Sequence, residues 1–310
     1  MSTSDIPRRK FGRHDQLVSA LALGGYHVGS IGTEREAVKI VHAAIDAGIT
    51  FLDNAWEYHD GKSEVRMGKA IKDRRDRVFL MTKVCTHGRD AKTAMRQLEE
   101  SLRRLQTDYL DLWQIHECIY YNDPERHFAK GGAVEALERA KKDGKVRYIG
   151  FTGHKDPEIH LAMLSYQYPF DSCQLPLNGF DASFSNRSFE HRVLPELIKQ
   201  GIAPLGMKSL GAGQAVKRKA VTAVEALRYA MSLPVTTTIS GIDSMRVLNQ
   251  NLGVARGFKP MSDRQMAAFR KRIADEADDG RYELYKTTAQ HDGPEGRKQH
   301  GFPSPEELSA

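Results

Sequence analysis

Four side chains in the first half of the chain have the chemistry for proton transfer: Asp53, Tyr58, Lys83 and His116. Each lies at or just beyond the end of a predicted β-strand. Any one of them could instead be structural, as a helix cap, a surface aromatic, an ion-pair partner or a buried histidine. Because the carboxyl ends of neighbouring parallel strands converge, four ionisable groups on three adjacent strands predict one shared cavity.

The elements that would position these groups alternate regularly along the chain. Short, mostly apolar runs, typical of strands covered on both faces, are followed by longer helical segments. The predicted strands are residues 17–23, 50–54, 78–84, 109–116, 146–152, 172–177, 202–208 and 236–241. The predicted helices are residues 35–47, 63–73, 91–105, 131–143, 157–166, 189–200, 218–232 and 244–256. A ninth helix is predicted after Ser262, to about Ala277.

This alternation predicts an α/β protein, and eight such units most naturally close into a (β/α)8 TIM barrel. A doubly wound sheet is disfavoured, because no G-x-G-x-x-G motif follows the first strand and the glycine spacing at 206–211 lacks the Lys-Ser/Thr of a phosphate loop. We expect a barrel domain over 1–280 that ends in the C-terminal helix. Residues 281–310 show no periodicity and are predicted to form an irregular tail, either laid over the barrel mouth or loosely held.

Composition narrows the class of protein. The chain has 310 residues, of which 40% are hydrophobic and 28% are charged. Its net charge is +6, and the basic residues are mixed with acidic residues along the chain rather than gathered in one patch. Three cysteines (Cys85, Cys118 and Cys173) form no disulfide framework, and the twelve histidines include no H-E-x-x-H metal motif or close carboxylate cluster. We therefore expect a soluble cytoplasmic protein with a small-molecule substrate, no metal, and no nucleic-acid or membrane partner. The sequence specifies no oligomeric state.

The residues around the four candidate groups resemble the aldo-keto reductase superfamily. Spacings of 5, 25 and 33 residues fit the family's Asp, Tyr, Lys and His tetrad. The resemblance extends from about Arg8 to Asn251. The segments that carry it are Gly48-Ile-Thr-Phe-Leu-Asp-Asn-Ala-Trp-Glu-Tyr58, Gly61-Lys-Ser-Glu64, Met81-Thr-Lys83 and Asp108-Tyr-Leu-Asp-Leu-Trp-Gln-Ile-His116.

The resemblance implies NAD(P)H-dependent reduction of an aldehyde or ketone, or oxidation of the corresponding alcohol, with Tyr58 as the general acid and base. A free phenol has a pKa of about 10, and we expect the Lys83 ammonium to lower the Tyr58 value by ~2 units. Asp53 would keep Lys83 charged, and His116 would orient the substrate oxygen.

The match on the cofactor side is mixed. Thr152-Gly153 stands where the family usually has Ser-Asn, and Met207 replaces the usual stacking aromatic. The amides of Ser209, Leu210 and Gly211 are expected to bind phosphate oxygens, with Lys208 nearby. The full set of expected cofactor contacts is Gly25, Tyr26, Asp53, Thr152, Gln174, Met207, Lys208, Ser209, Leu210, Gly211, Gly241, Ser244, Arg246, Gln250 and Asn251.

Cofactor preference depends on how a 2'-phosphate would be held. Aligning on Asn251 puts Gly241 and Val247 where many relatives carry Lys and Arg. Arg246 and Ser244 offer a replacement cation and hydroxyl, so NADP(H) is favoured and NAD(H) is the alternative.

The expected substrate contacts are aromatic and polar: Tyr26, Trp56, Tyr58, His116 and Glu117. Such a mixture would suit a hydroxylated aldehyde, ketone or sugar.

Two other functions remain open at this point. One is a nicotinamide-binding regulatory or interaction subunit of the same fold with little turnover, and the other is a metal-dependent barrel hydrolase or lyase, which bound metal would reveal.

Overall fold

A computed structural model describes residues 5–85, 90–183 and 187–308. Eight parallel strands in these ranges close into a barrel in which the last strand pairs with the first. The predicted (β/α)8 barrel is therefore confirmed. Its strands are β3 (Leu21–Gly24), β4 (Phe51–Asp53), β5 (Phe79–Val84), β6 (Leu110–Ile115), β7 (Val146–Thr152), β8 (Ser172–Pro176), β9 (Ala203–Met207) and β10 (Thr237–Gly241).

The first predicted strand, 17–23, is divided in the structure. Its start belongs to β2 (His14–Ser19), which pairs antiparallel with β1 (Arg8–Phe11), and the chain enters the barrel only at β3. Exposed and covered residues alternate through the first part of β2, which is typical of a strand with one solvated face. Phe11 packs against Phe79 and Tyr148, both at 5.0 Å between ring centroids, so the hairpin closes the amino end of the barrel.

Helices cover the barrel as the sequence pattern predicts, with a few changed boundaries. The prediction of an irregular segment over 281–310 is wrong in part, because two short helices, Leu284–Thr287 and Pro294–His300, form there. The predicted helix 189–200 is interrupted at Val193, which precedes Pro195, and the predicted helix 218–232 begins only after its Thr222 cap. The described helices are α1 (Gly25–Ser30), α2 (Glu34–Asp46), α3 (Lys62–Ile71), α4 (Ala91–Leu105), α5 (Asp123–Phe128), α6 (Ala133–Lys142), α7 (Pro157–Ser165), α8 (Gly179–Ser183), α9 (Phe189–Arg192), α10 (Leu194–Gln200), α11 (Gln214–Lys217), α12 (Ala223–Ser232), α13 (Met245–Ala255), α14 (Asp263–Ala277), α15 (Leu284–Thr287) and α16 (Pro294–His300).

Two apolar clusters stabilise this architecture. One fills the barrel interior around Phe11, Phe51 and Leu112, and the larger one lies between the strands and the helices. Ser262 caps α14 as the sequence predicts, with Gln265 completing a capping box. No described helix is both long enough and apolar enough to cross a bilayer.

Candidate active site

The structure brings the four predicted catalytic side chains together at the carboxyl end of the barrel. Lys83, from β5, donates hydrogen bonds to Asp53 Oδ1 at 2.5 Å, to the Asn54 carbonyl at 2.7 Å and to Tyr58 Oη at 3.2 Å. His116 follows β6, and its ring lies edge-on to Tyr58 with 5.6 Å between centroids. A buried ammonium thus connects the carboxylate to the phenol, beside the imidazole.

The loop after β4 places Tyr58 through a backbone turn that the sequence pattern did not reveal. His59 and Asp60 have φ of 52° and 55°, and Gly61 has φ of 82°, so three consecutive left-handed residues turn the chain into α3. The backbone N–H of Trp56 donates to the Lys83 carbonyl at 3.1 Å. This bond ties the loop to the strand that carries the ammonium.

Trp56 does not lie where the sequence predicted. Its Nε1 donates to Glu100 Oε2 of α4 at 2.7 Å, and the Arg104 guanidinium lies over its ring at 5.5 Å. The side chain therefore packs on α4, because the ring N–H finds a carboxylate there and the ring face finds a guanidinium. Its expected place among the substrate contacts is corrected accordingly.

Glu57 lies beside His116, and sequence reasoning did not single it out. Its Oε1 lies 2.7 Å from His116 Nδ1, although the ring N–H is not aligned for a regular hydrogen bond. Ligand-type atoms of Glu57, His116 and Glu117 all lie within 4.8 Å of one another. In the sequence, Glu57 was marked only by its position next to Tyr58. Its contact with His116 and Glu117 joins residues far apart in the chain, so no local pattern indicates it.

The charges around Tyr58 contradict the expected lowering of its pKa. Burial raises the pKa of Tyr58 well above its usual value, and the carboxylates of Asp53, Glu57 and Glu117 add to the shift. Burial also lowers the pKa of Lys83, and the charge of Asp53 opposes that effect. Burial and the nearby carboxylates therefore both favour the protonated phenol at neutral pH.

The segment after α14 crosses the mouth of the barrel. The N–H of Gly293 donates to Glu117 Oε2 at 2.9 Å, and Gln299 Nε2 donates to the Cys85 carbonyl at 2.8 Å. Lys155, in the loop after β7, pairs with Asp292 at 2.5 Å. The described part of the predicted tail is thus bonded to loops on several sides of the site, and residues 309–310 lie outside the described chain.

Thr152 on β7 and Gln174 on β8, the expected contacts of the nicotinamide carboxamide, lie side by side. Gln174 Nε2 donates to Met207 Sδ at 3.5 Å, while its buried Oε1 accepts no hydrogen bond from the described parts of the chain. Thr152 is buried beside it on β7. Gly153 is required by packing, since a Cβ there would clash with the Cys118 carbonyl. The exchange of Asn for Gly that the sequence suggested therefore has a steric reason.

The turn after β9 corrects one expected phosphate contact. The Gly211 N–H donates to the Lys208 carbonyl at 2.9 Å, so the turn itself uses this amide. Ser209 is buried and Leu210 is partly buried between these residues. Lys208 extends over the Tyr285 ring at 4.9 Å, and burial lowers its pKa to about 8. Lys208 is consequently a cation whose charge is easily lost.

The expected adenine and 2'-phosphate residues lie around the start of α13. Ser244 caps this helix by accepting from the Val247 N–H, and Arg246 is exposed beside it. Asn251 is buried and donates to Ser240 Oγ at 3.0 Å, while Gln250 is partly buried. Asn251 therefore also ties α13 to the end of β10.

The turn after β3 forms another wall of the mouth. Gly25 packs where a Cβ would clash with the Asp53 carbonyl, and Gly241 packs against the His27 ring. Tyr26 is 54% exposed and lies edge-on to Tyr58 at 5.4 Å between ring centroids. Tyr26 is thus placed between solvent and the phenol.

Comparison with known proteins agrees with this geometry. A sequence model described as the aldo/keto reductase family matches residues 20–225. The chain is 32% identical over 210 residues to the aldo-keto reductase YhdN of Bacillus subtilis, covering 63% of this chain and 59% of that protein. It is 28% identical to the 6-dehydroglucose reductase of Novosphingobium aromaticivorans, covering 74% and 81% of the two chains. The chain spans 46% to 59% of the length of three curated relatives that it matches.

Solved structures show the same architecture. An aldo/keto reductase of Klebsiella pneumoniae, in complex with NADP and acetate, superposes with a TM-score of 0.69 at 27% identity. The superposition covers 86% of this chain and 95% of the other. The similarity therefore extends over most of both chains.

Proposed function

The chain belongs to the aldo/keto reductase family, and from this membership we propose that it is an NADP(H)-dependent oxidoreductase that interconverts a small aldehyde or ketone and its alcohol. The observation that carries the proposal is the connected set of contacts from Asp53 through Lys83 to Tyr58, with His116 beside the phenol. Residues 1–280 would form the catalytic barrel domain, and 281–310 would form its C-terminal cover.

The residues of the chain account for the proton in this reaction. Tyr58 Oη–H donates to the carbonyl oxygen as that oxygen gains negative charge, and Lys83 stabilises the phenolate that remains. Asp53 holds the buried ammonium in place. Because burial and nearby carboxylates raise the pKa of Tyr58, the protonated phenol needed for reduction predominates at neutral pH.

A nicotinamide cofactor, when bound, supplies or accepts the hydride. Gln174 fits such a group, because its buried Oε1 is available to an amide N–H donor. Thr152 offers a hydroxyl beside it, and exposed Arg246 offers a cation to a 2'-phosphate. The Klebsiella relative's complex with NADP supports NADP(H) as the preferred cofactor, with NAD(H) as the alternative.

The proposed substrate carries hydroxyl groups near its carbonyl, as a sugar-like aldehyde or ketone does. Carboxylates accept hydrogen bonds and repel anions, so the Glu57 and Glu117 side chains beside His116 favour hydroxylated over carboxylated substrates. The name of the 6-dehydroglucose reductase relative agrees with this class.

The proposal is tested by titrating the purified protein with NADPH and NADH, and then assaying a panel of hydroxylated, plain and carboxylated aldehydes. In Tyr58→Phe, we expect kcat to fall by about 10²–10⁴-fold, because the proton donor is removed. The Kd for NADPH should remain within about twofold of wild type, since the ring is kept.

Two results would reject the proposal. Turnover in Tyr58→Phe equal to that of wild type would remove the assigned acid. Tight NADPH binding without turnover of any carbonyl in the panel would instead favour a regulatory subunit of the same fold.

A further inference from the structure

The contact between Glu57 and His116 is not explained by the four-residue arrangement. Oε1 of Glu57 lies 2.7 Å from Nδ1 of His116, and the two side chains are only 11% and 8% exposed. Two buried groups at this distance interact more strongly than they would in water. The pair therefore has an energetic influence on the imidazole that a surface pair would lack.

The loop leaves Glu57 little freedom to point elsewhere. The residue before it, Trp56, is held on α4 by Glu100, and the residue after it, Tyr58, is held by Lys83. With both neighbours fixed on different sides, the Glu57 side chain is directed at β6 and His116. Glu57 thus has the pre-organised geometry of a residue that orients its partner.

The C-terminal segment covers this pair. A Cβ on Gly293 would lie 3.3 Å from Glu57 Oε1 and would clash with Glu117 Oε2. The Gly293 N–H in turn donates to Glu117 Oε2 at 2.9 Å. Because this backbone packs directly on both carboxylates, bulk water has poor access to the contact between Glu57 and His116.

The chemical consequence concerns the proton on the imidazole. A neutral imidazole has one N–H, and a negative charge beside one ring nitrogen stabilises the tautomer in which that nitrogen carries the proton. A carboxylate accepts hydrogen bonds but donates none. Glu57 therefore favours the tautomer with the proton on Nδ1, and leaves the lone pair on Nε2.

We propose that Glu57 is a positioning residue that fixes the orientation and tautomer of His116, so that Nε2 accepts a hydrogen bond from a hydroxyl group next to the substrate carbonyl. This inference rests on the proposed function for its catalytic consequence. On the carbonyl side of the reaction, the oxygen meets the Tyr58 donor. The hydroxyl group next to the carbonyl donates to the Nε2 acceptor, so the substrate is oriented by both residues.

The first test reads the tautomer without any turnover. Nitrogen-15 NMR of histidine-labelled protein, with the His116→Asn variant used to assign the His116 signals, should show the proton on Nδ1 in wild type. In Glu57→Leu, the proton should move mainly to Nε2 or exchange between the two nitrogens. Proton-free Nδ1 in wild type would overturn the proposal, including the case in which a cation held by Glu57, His116 and Glu117 replaces the proton.

The second test measures turnover in variants matched for size. Glu57→Gln should lower kcat by about 10–100-fold with little change in the KM for the carbonyl, because the amide can present either a donor or an acceptor to Nδ1. Glu57→Asp should recover part of the activity, since the carboxylate is retained. Glu100→Gln is the control, because the amide oxygen still accepts from Trp56 Nε1, so the loop stays anchored and kcat should remain within about twofold.

The outcomes separate the two hypotheses. Equal losses in Glu57→Gln and Glu100→Gln would overturn the proposal, because they would show a general effect on the loop. Wild-type protein with the proton on Nδ1 but no carbonyl reduction would contradict the proposed function, while it would support the assignment of Glu57.

Discussion

The two ends of the barrel both bury carboxylates, but they neutralise them differently. At the amino end, Asp111 is held by Arg75 at 2.9 Å and Arg147 at 2.7 Å, and also accepts from the Leu80 N–H. Asp171 is paired just as fully. Its partners are Arg13 at 2.9 Å, His14 at 2.8 Å, Lys141 at 3.1 Å and the Ile149 N–H at 3.0 Å.

At the carboxyl end, the charged groups that raise the pKa of Tyr58 are carboxylates. Lys83 bonds directly to Asp53, while Glu57 and Glu117 lie close enough to raise the pKa of Tyr58. Cations pair with the carboxylates of the amino end, whereas carboxylates lie close to a phenol at the carboxyl end. The difference indicates that charges at the amino end support stability, and it agrees with the proposed proton transfer at the carboxyl end.

The largest expected effect tests the carboxyl end. Lys83→Met should lower kcat by about 10³-fold, or ~4 kcal/mol of barrier, because the phenolate loses its only bonded cation among the described residues. Steady-state kinetics measures the change, and circular dichroism with NADPH titration serves as the control for folding. A kcat within threefold of wild type would contradict the proposed proton transfer at the carboxyl end of the barrel.

A smaller effect, on stability rather than turnover, is expected at the amino end. Asp171→Asn removes a charge that pairs with Arg13 and Lys141 and contacts the His14 ring, and should reduce the free energy of unfolding by about 2 kcal/mol. Urea denaturation measures this loss, and kcat at 25 °C should be unchanged because the site lies at the other end. Loss of kcat without loss of stability would contradict the assignment.

The smallest expected effect concerns the charge of Lys208 at the carboxyl end. Burial lowers the pKa of Lys208 to about 8, so its ammonium predominates below that pH and is lost as the pH rises further. Since an anionic cofactor prefers the ammonium, the Kd for NADPH should rise by about threefold to tenfold between pH 7 and pH 9. Lys208→Arg should keep its charge and show a flatter profile; the same rise in both proteins would assign the effect to another group.

Strand alternation and four spaced side chains made the barrel and its central cluster predictable. The register of parallel strands then brings Asp53 and Lys83 together, because residues at the ends of adjacent strands must meet at one edge. The division of the first predicted strand at Ala20 was missed, since a hairpin strand and a barrel strand run together there without a turn signal.

Local sequence determined the elements of this protein, the order in which they close and the residue types at the mouth, because periodicity and strand direction act over short stretches of chain. Only the tertiary structure decided that Trp56 packs on α4, that Glu57 meets His116 and that residues near Gly293 cover them. It also reversed the expected shift of the Tyr58 pKa. Loop side-chain directions and electrostatic fields depend on atoms brought together from distant parts of the chain, and no local pattern encodes those distances.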